Sequence, residues 1–238
     1  MEHNILEEWL ANRNIPVDKE KIELLYRYAD MIHRANKVYN LTSCSTKKEI
    51  IEQLIIKSIE PVSLFEVPRG TSFVDIGTGQ GIPGIPIAIM QPNFSGVLID
   101  SNQRKIEFIR YAINTLGIKN IDIYHGRAEE YARNADFREK FDYMFVRAFG
   151  TIYLVLELGS PFVKTGGILY IYSSMSEGSI NQSILDQGTR VGLLMIGIDK
   201  TKFLPGAGGI IFNKIAGIDN KYPRHYPTIK REAMKRSV

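Results

Sequence analysis

The change of hydrophobic period at Thr71 constrains the fold of this 238-residue chain more than any other feature. Beyond it stand five short β-branched and aromatic runs, at residues 73–76, 97–99, 121–124, 141–146 and 168–172, separated by helical-looking stretches. Runs of that length and composition read as strands. Strands that alternate with helices need crossover connections, which set them parallel in a sheet covered on both faces. Two further runs, 191–198 and 209–215, flank a turn at 205–209 and predict a hairpin that finishes the sheet with antiparallel strands. The expectation is an α/β fold with a doubly wound, mostly parallel, seven-stranded sheet.

Before Thr71 the period is helical. Ile5, Trp9 and Leu10, then Ile22, Leu25, Tyr28, Ala29 and Ile32, recur at steps of three and four, with a break at 16–18. A third helix is predicted from Ser45 or Thr46 to about Ile59, because Glu49 follows Thr46 by three residues as in a capping box and Pro61 cannot continue a helix. The chain divides into a helical cap (1–68), a sheet domain (69–220) and a basic tail (221–238). The tail holds six basic side chains against Glu232, which leaves 24 basic and 25 acidic residues over 1–220. A short basic terminus beside Tyr222 and Tyr226 suits a grip on a phosphate backbone, or else is a solvated end. Cys44 is the sole cysteine, so no internal disulfide or four-ligand zinc site forms, and His33, His125 and His225 have no ligand-spaced companions. No metal is expected. No apolar run approaches the ~20 residues that cross a bilayer and the start has no signal-like core, so a cytoplasmic chain with no membrane partner is expected.

The chemistry concentrates at residues 75–84, Asp-Ile-Gly-Thr-Gly-Gln-Gly-Ile-Pro-Gly, where the first strand ends. Gly77, Gly79 and Gly81 let the chain turn sharply and let its backbone, with Thr78 between, approach a ligand without Cβ interference. Pro83 suits a first helical position, so unpaired amides are expected to face an anionic group. A dinucleotide loop needs Gly-x-Gly-x-x-Gly; counted from Gly77 the sixth residue is Ile82, and counted from Gly79 it is Gly84 with Gly81 left over. Gly-x-Gly-x-Gly after an acidic strand residue instead resembles the class I, Rossmann-like methyltransferases that use S-adenosyl-L-methionine. The resemblance implies that the loop lies under the methionine portion, with Asp75 near its ammonium group. Asp100, followed by Ser101, would accept both ribose hydroxyls, and Gly126-Arg127-Ala128-Glu129 would flank the adenine. Taken singly, the loop is also a tight strand-to-helix turn, Asp100 a helix N-cap and Glu129 a first-turn carboxylate.

The fourth strand ends Val146-Arg147-Ala148-Phe149, without the Asn/Asp-Pro-Pro-aromatic string used on exocyclic amines, and Cys44 lies far from it in sequence. A ring nitrogen such as guanine N7 needs neither proton removal nor a covalent intermediate, so positioning supplies most of the rate. Over almost its whole length the chain resembles the RsmG or GidB family, which methylates N7 of one guanine in 16S ribosomal RNA. The likeness runs through residues 36–43 (Asn-Lys-Val-Tyr-Asn-Leu-Thr-Ser), the glycine loop on to Pro86, Asp100-Ser101 followed by Arg104-Lys105 and Phe108, residues 127–130, Arg147-Ala148-Phe149 and Tyr222-Pro223-Arg224. It implies that Gly77, Ile82, Ala128, Glu129 and Arg147 line the cofactor site, Arg147 with a catalytic part. It also implies that Asn36, Asn40, Arg224, Lys230 and Arg231 face the RNA of the small ribosomal subunit. Arg147 suits a phosphate or carboxylate held in a fork, or a salt bridge to Asp75 or Glu129. Four departures fall near the expected acceptor pocket: Leu54 and Lys57 replace a His and an Asp, and Ser173-Ser174 replaces Lys-Gly. They leave open a silent RNA-binding protein, and the sheet alone leaves open a nicotinamide oxidoreductase.

Overall fold

The computed structural model describes residues 4–16, 18–62, 67–200 and 208–236. Each predicted strand forms: β1 Ser72–Ile76, β2 Ser95–Asp100, β3 Ile121–His125, β4 Phe141–Arg147, β5 Val163–Tyr172, β6 Leu193–Lys200 and β7 Gly208–Lys214. They make one sheet in the order β3-β2-β1-β4-β5-β7-β6, with β1 to β5 parallel. The hairpin differs from expectation in one respect. β7 inserts between β5 and β6 and is antiparallel to both, so β7 alone runs against the sheet. Burial explains the order. Ile210 and Phe212 of β7 are buried, and a Cβ on Gly209 would lie 2.3 Å from the Tyr170 ring, whereas Leu194 and Ile196 of β6 are half exposed and suit an edge. Of the expected turn, residues 205–207 lie outside the described residues.

The helices are α1 Ile5–Ala11, α2 Lys19–Tyr39, α3 Lys47–Glu49, α4 Lys57–Ile59, α5 Gly84–Met90, α6 Gln103–Leu116, α7 Ala128–Tyr131, α8 Ile152–Gly159, α9 Gln182–Arg190 and α10 Tyr226–Arg236. The side chain of Asp18 caps α2 through the amides of Glu20 and Lys21, and Asn40 closes it in a left-handed conformation. The Thr46–Glu49 capping box is present. The middle of the third helix, however, is a π-helix, Ile50–Ile56, between α3 and α4. It buries Ile50, Ile51, Leu54, Ile55 and Ile56, and only its i→i+5 bonding sets it apart from the α-helix expected.

Strand alternation splits the interior in two. Phe73, Leu98, Phe145 and Tyr170 face α1, α2, the π-helix, α5 and α6; Val74, Ile76, Ile99, Met144 and Val146 face α8, α9 and α10. The N-terminal helices thus cover the sheet face that also carries the glycine loop. Leu25, Tyr28, Ala29 and Ile32 of α2 are fully buried there, and the larger ones contribute roughly 1.5 to 3 kcal/mol each.

The basic tail is not a solvated end. Tyr222, Ile229 and Ala233 are buried, and the Arg138 guanidinium donates to the carbonyls of Tyr222, Ile218 and Asp219. Arg224, expected to face RNA, instead grips the fully buried Glu157 of α8 through Nε and Nη2 at 2.8 and 2.7 Å and reaches Glu232 at 3.1 and 2.9 Å. Two carboxylates neutralise it, so it has little charge to offer a phosphate. Arg224→Ala is expected to lower the unfolding free energy by about 3 kcal/mol, because Glu157 would be left buried without its cation, holding only the Gln187 side chain and the backbone amide of residue 224, and to leave the salt dependence of RNA binding unchanged. Urea denaturation and a salt titration test the two halves.

Candidate active site

Parallel pairing brings the C-terminal ends of β1 to β5 to one rim, where Ile76 pairs with Ile99, Asp100 with His125, and Arg147 with Tyr172. Ligands of open α/β sheets bind at this rim. The glycine loop crosses it with Gly77, Gly79 and Gly81 at φ of +64°, +63° and +91°, the left-handed region that side chains disfavour. Gly77 also meets a steric limit, since a Cβ there would lie 2.2 Å from the Phe149 ring. Asp100 ties the loop to β2: its Oδ2 accepts from the Gly79 amide at 2.8 Å and its Oδ1 from the Asn102 amide at 2.8 Å. The N-cap of α6 is Asn102, not Asp100. Each Asp100 oxygen retains a lone pair, and the residue lines the crevice.

Asp75, expected near the cofactor's ammonium group, does not line the crevice. It is fully buried behind the loop, its Oδ2 accepting from Thr78 Oγ1 at 2.6 Å and from the Gly84 amide at 3.0 Å. The amide at the start of α5 is thus occupied by the chain's own carboxylate and not by an anionic ligand. Oδ1 is buried without a hydrogen-bond partner. Burial pushes the carboxyl up to about 7, against the pull of Thr78 and Gly84, with Asp100 adding repulsion.

A crevice of about 240 Å³ opens beside the loop. Gly77, Asp100, Ser101, Ala128 and Glu129 line it as expected. Thr78, Gly79, Gly81 and Ile82 do not. Gly79 works through its amide, while Gly81 and Ile82 are covered by the cap: Tyr28 of α2 hydrogen-bonds the Gln80 carbonyl, and a Cβ on Gly81 would meet the Tyr28 hydroxyl at 2.9 Å. The crevice also takes in Lys105 and Phe149, which the family resemblance includes without a role, and Tyr226, which it does not include. Tyr226 comes from the tail, and no local pattern announces that approach.

Arg147, expected at the cofactor site, reaches the cap with its guanidinium. Its Nη2 donates to the Gln53 carbonyl at 2.6 Å and its Nη1 to the Leu54 carbonyl at 3.4 Å, so it clasps the π-helix to the sheet and pairs with neither Asp75 nor Glu129. Burial holds its pKa down. Of the departures, Leu54 is buried, and Lys57 has its pKa lowered by burial and by neighbouring Arg147. Ser173 is spent on the chain: its amide donates to the Gly208 carbonyl and its hydroxyl accepts from the Met175 amide, while Ser174 is exposed. Among the other expected RNA contacts, Asn36 is committed within the cap, bonding the Cys44 carbonyl and the Thr42 amide at 3.0 and 2.8 Å. Asn40, Lys230 and Arg231 are exposed. Among the described residues no cluster of three or more His, Cys, Asp or Glu is arranged for a metal, and no helix is long and apolar enough to cross a membrane.

A further, larger cavity of about 400 Å³ is lined by Gly150, Thr151, Tyr172 and Ser173 among others. The chain passes from one hollow to the other in the loop after β4, where Ala148 has a φ of +53°. A non-glycine residue held there stores strain, which gathers at functional sites.

Antiparallel β7 beside β5 departs from the all-parallel 3-2-1-4-5-6 order of dinucleotide-binding sheets. The left-handed loop and the spare lone pairs of Asp100 fit S-adenosylmethionine, and together they define a class I methyltransferase. Similar folds include a putative O-methyltransferase from Klebsiella pneumoniae (TM-score 0.55, 13% identity, 89% of this chain and 96% of that one). A methyltransferase from Aquifex aeolicus described as SAM-dependent is also similar (0.52, 14%, 70% and 93%). The sequence profile "rRNA small subunit methyltransferase G" matches residues 21–184, and the chain belongs to that family. The "Ribosomal RNA small subunit methyltransferase G" of Clostridium botulinum (strain Loch Maree / Type A3) is 33% identical over 237 residues, 98% of each chain. Its namesake in Lachnoclostridium phytofermentans is 37% identical over 165 residues, 69% of this chain and 68% of that one.

Two outcomes follow from the site. Asp100→Ala is expected to weaken cofactor binding by about 1 to 3 kcal/mol, measured by calorimetry with S-adenosylhomocysteine; an unchanged affinity removes Asp100 from the ribose. Asp75 binds its proton more tightly folded than unfolded, so its share of stability is full below about pH 4 and is lost as pH rises towards 7. The stability difference between wild type and Asp75→Asn is expected to shift against wild type across that window, and equal pH profiles would refute the raised pKa.

Proposed function

We propose that this protein methylates guanine N7 in small-subunit ribosomal RNA. The observation that carries the reading is the left-handed glycine loop tied to Asp100 in a chain of this family. When bound, S-adenosylmethionine supplies a methyl group on a positively charged sulfur, electrophilic without further activation. Gly77, whose missing Cβ lets the Phe149 ring close in, lies beside its methionine portion, Asp100 accepts from its ribose, and Ala128 and Glu129 flank its adenine. The guanine enters through the second cavity, between Thr151 and Ser173, with Phe149 at the boundary between the two ligands. N7 carries an exposed lone pair and no proton, so the residues need only align it and exclude water; no general base is required. Arg147 acts by holding the cap against the sheet, which fixes the wall that Tyr172 also braces through its hydroxyl bond to the Ser58 carbonyl at 2.6 Å.

The test is transfer of labelled methyl from S-adenosylmethionine to small subunits from cells lacking this gene, followed by chemical cleavage at N7-methylguanine. A single cleaved guanine in 16S RNA is expected. Cofactor binding without any transfer would leave a silent RNA-binding protein, and label at a nitrogen other than N7 would overturn the choice of acceptor atom.

A further inference from the structure

A cavity of about 830 Å³ lies apart from the cofactor crevice. It is a groove between the C-terminal half of α2 and α6. Met31, Ala35 and Phe108 are partly buried along it, while Tyr39, Tyr111 and Val38 are 60%, 63% and 70% exposed at its walls. Arg34 and Arg104, both exposed, flank the rings; the Arg104 amide donates to Asn102, but among the described residues neither guanidinium has a hydrogen-bond or ion-pair partner. Glu107 is the one carboxylate lining it. Large aromatic surfaces are seldom left in water beside unpaired guanidiniums unless something covers both.

We propose that this groove binds a single-stranded segment of the RNA substrate, with bases stacked on Tyr39 and Tyr111 and phosphates held by Arg34 and Arg104. Ring faces stack bases of any identity, while flanking arginines meet the backbone; a partner helix would call for aliphatic knobs and no such pair of cations. Position supports the same occupant. Arg104 and Lys105 are consecutive on α6, and Lys105 lines the cofactor crevice while Arg104 lines the groove, so a strand in the groove leads directly to the reacting end of the sheet. The tail approaches the crevice from its other side, through Tyr226. A strand held in the groove would keep unpaired the region from which the target guanine is presented. This rests on the ribosomal RNA reading above, but its test does not depend on catalysis.

The double variants Tyr39→Ala/Tyr111→Ala and Arg34→Ala/Arg104→Ala change exposed side chains, and an unchanged melting temperature and unchanged S-adenosylhomocysteine affinity would show that fold and crevice are intact. The probes are a 12-nucleotide single-stranded RNA of mixed sequence and full-length 16S RNA transcribed in vitro, with binding read by fluorescence anisotropy and filter retention. Loss of both rings is expected to raise the Kd at least tenfold for both probes, and Tyr39→Phe/Tyr111→Phe to restore it, because stacking needs the ring and not the hydroxyl. Loss of both arginines is expected to lower the slope of log affinity against log salt by about 1.4. Unchanged RNA affinity in both double variants would overturn the proposal. So would unchanged RNA affinity with lost binding to intact small subunits, which would identify a ribosomal protein as the occupant. If RNA binding falls as expected but wild type transfers no methyl group, the groove stands and the enzymatic reading falls.

Discussion

One buried carboxylate holds the reacting rim together. Asp75 receives the Thr78 hydroxyl and the Gly84 amide on a single oxygen, so both ends of the glycine loop are tied to the strand from which it departs. Without that tie, three glycines in the left-handed region would be the most mobile part of the chain. A second carboxylate, Asp100, holds the middle of the loop through Gly79. Everything that faces the cofactor depends on these two anchors. Burying the first of them has a cost that shows in the raised proton affinity of Asp75, to which the nearby Asp100 adds a smaller repulsion.

The cap and tail complete what the sheet begins. Tyr28 presses on the loop through the Gln80 carbonyl, and Arg147 reaches across to the carbonyls of the π-helix. On the other side, the Arg224–Glu157 pair seats the tail so that Tyr226 arrives at the crevice. Two arginines that resemble ligand-binding residues by position thus act first as internal braces. A rigid crevice needs such braces, since a site is only as well placed as the elements that support it.

Much of the fold was legible along the chain because strand and helix periods are local properties. Phe73 to Ile76 alternate between the two interiors as their sequence suggests, and Thr46 and Glu49 form the capping box. The place of β7 was not legible, because the order of β6 and β7 depends on which strand can be buried on both faces. The π-helix was missed for a related reason: apolar residues at 50, 51, 54 and 55 fit an α-helix nearly as well.

From its residues alone the chain dictates an alternating sheet, a loop that only glycines allow and an acidic residue at the end of each of the first two strands, because these follow from short-range sterics and spacing. Tertiary packing assigned the partners. It turned Asp75 inward and Asp100 toward the crevice, gave Arg147 to the cap and Arg224 to Glu157, and brought Tyr226 from the far end of the chain to the crevice. Hydrogen-bonding groups seek whichever partner the folded chain leaves within reach, and that is settled by contacts between residues distant in sequence.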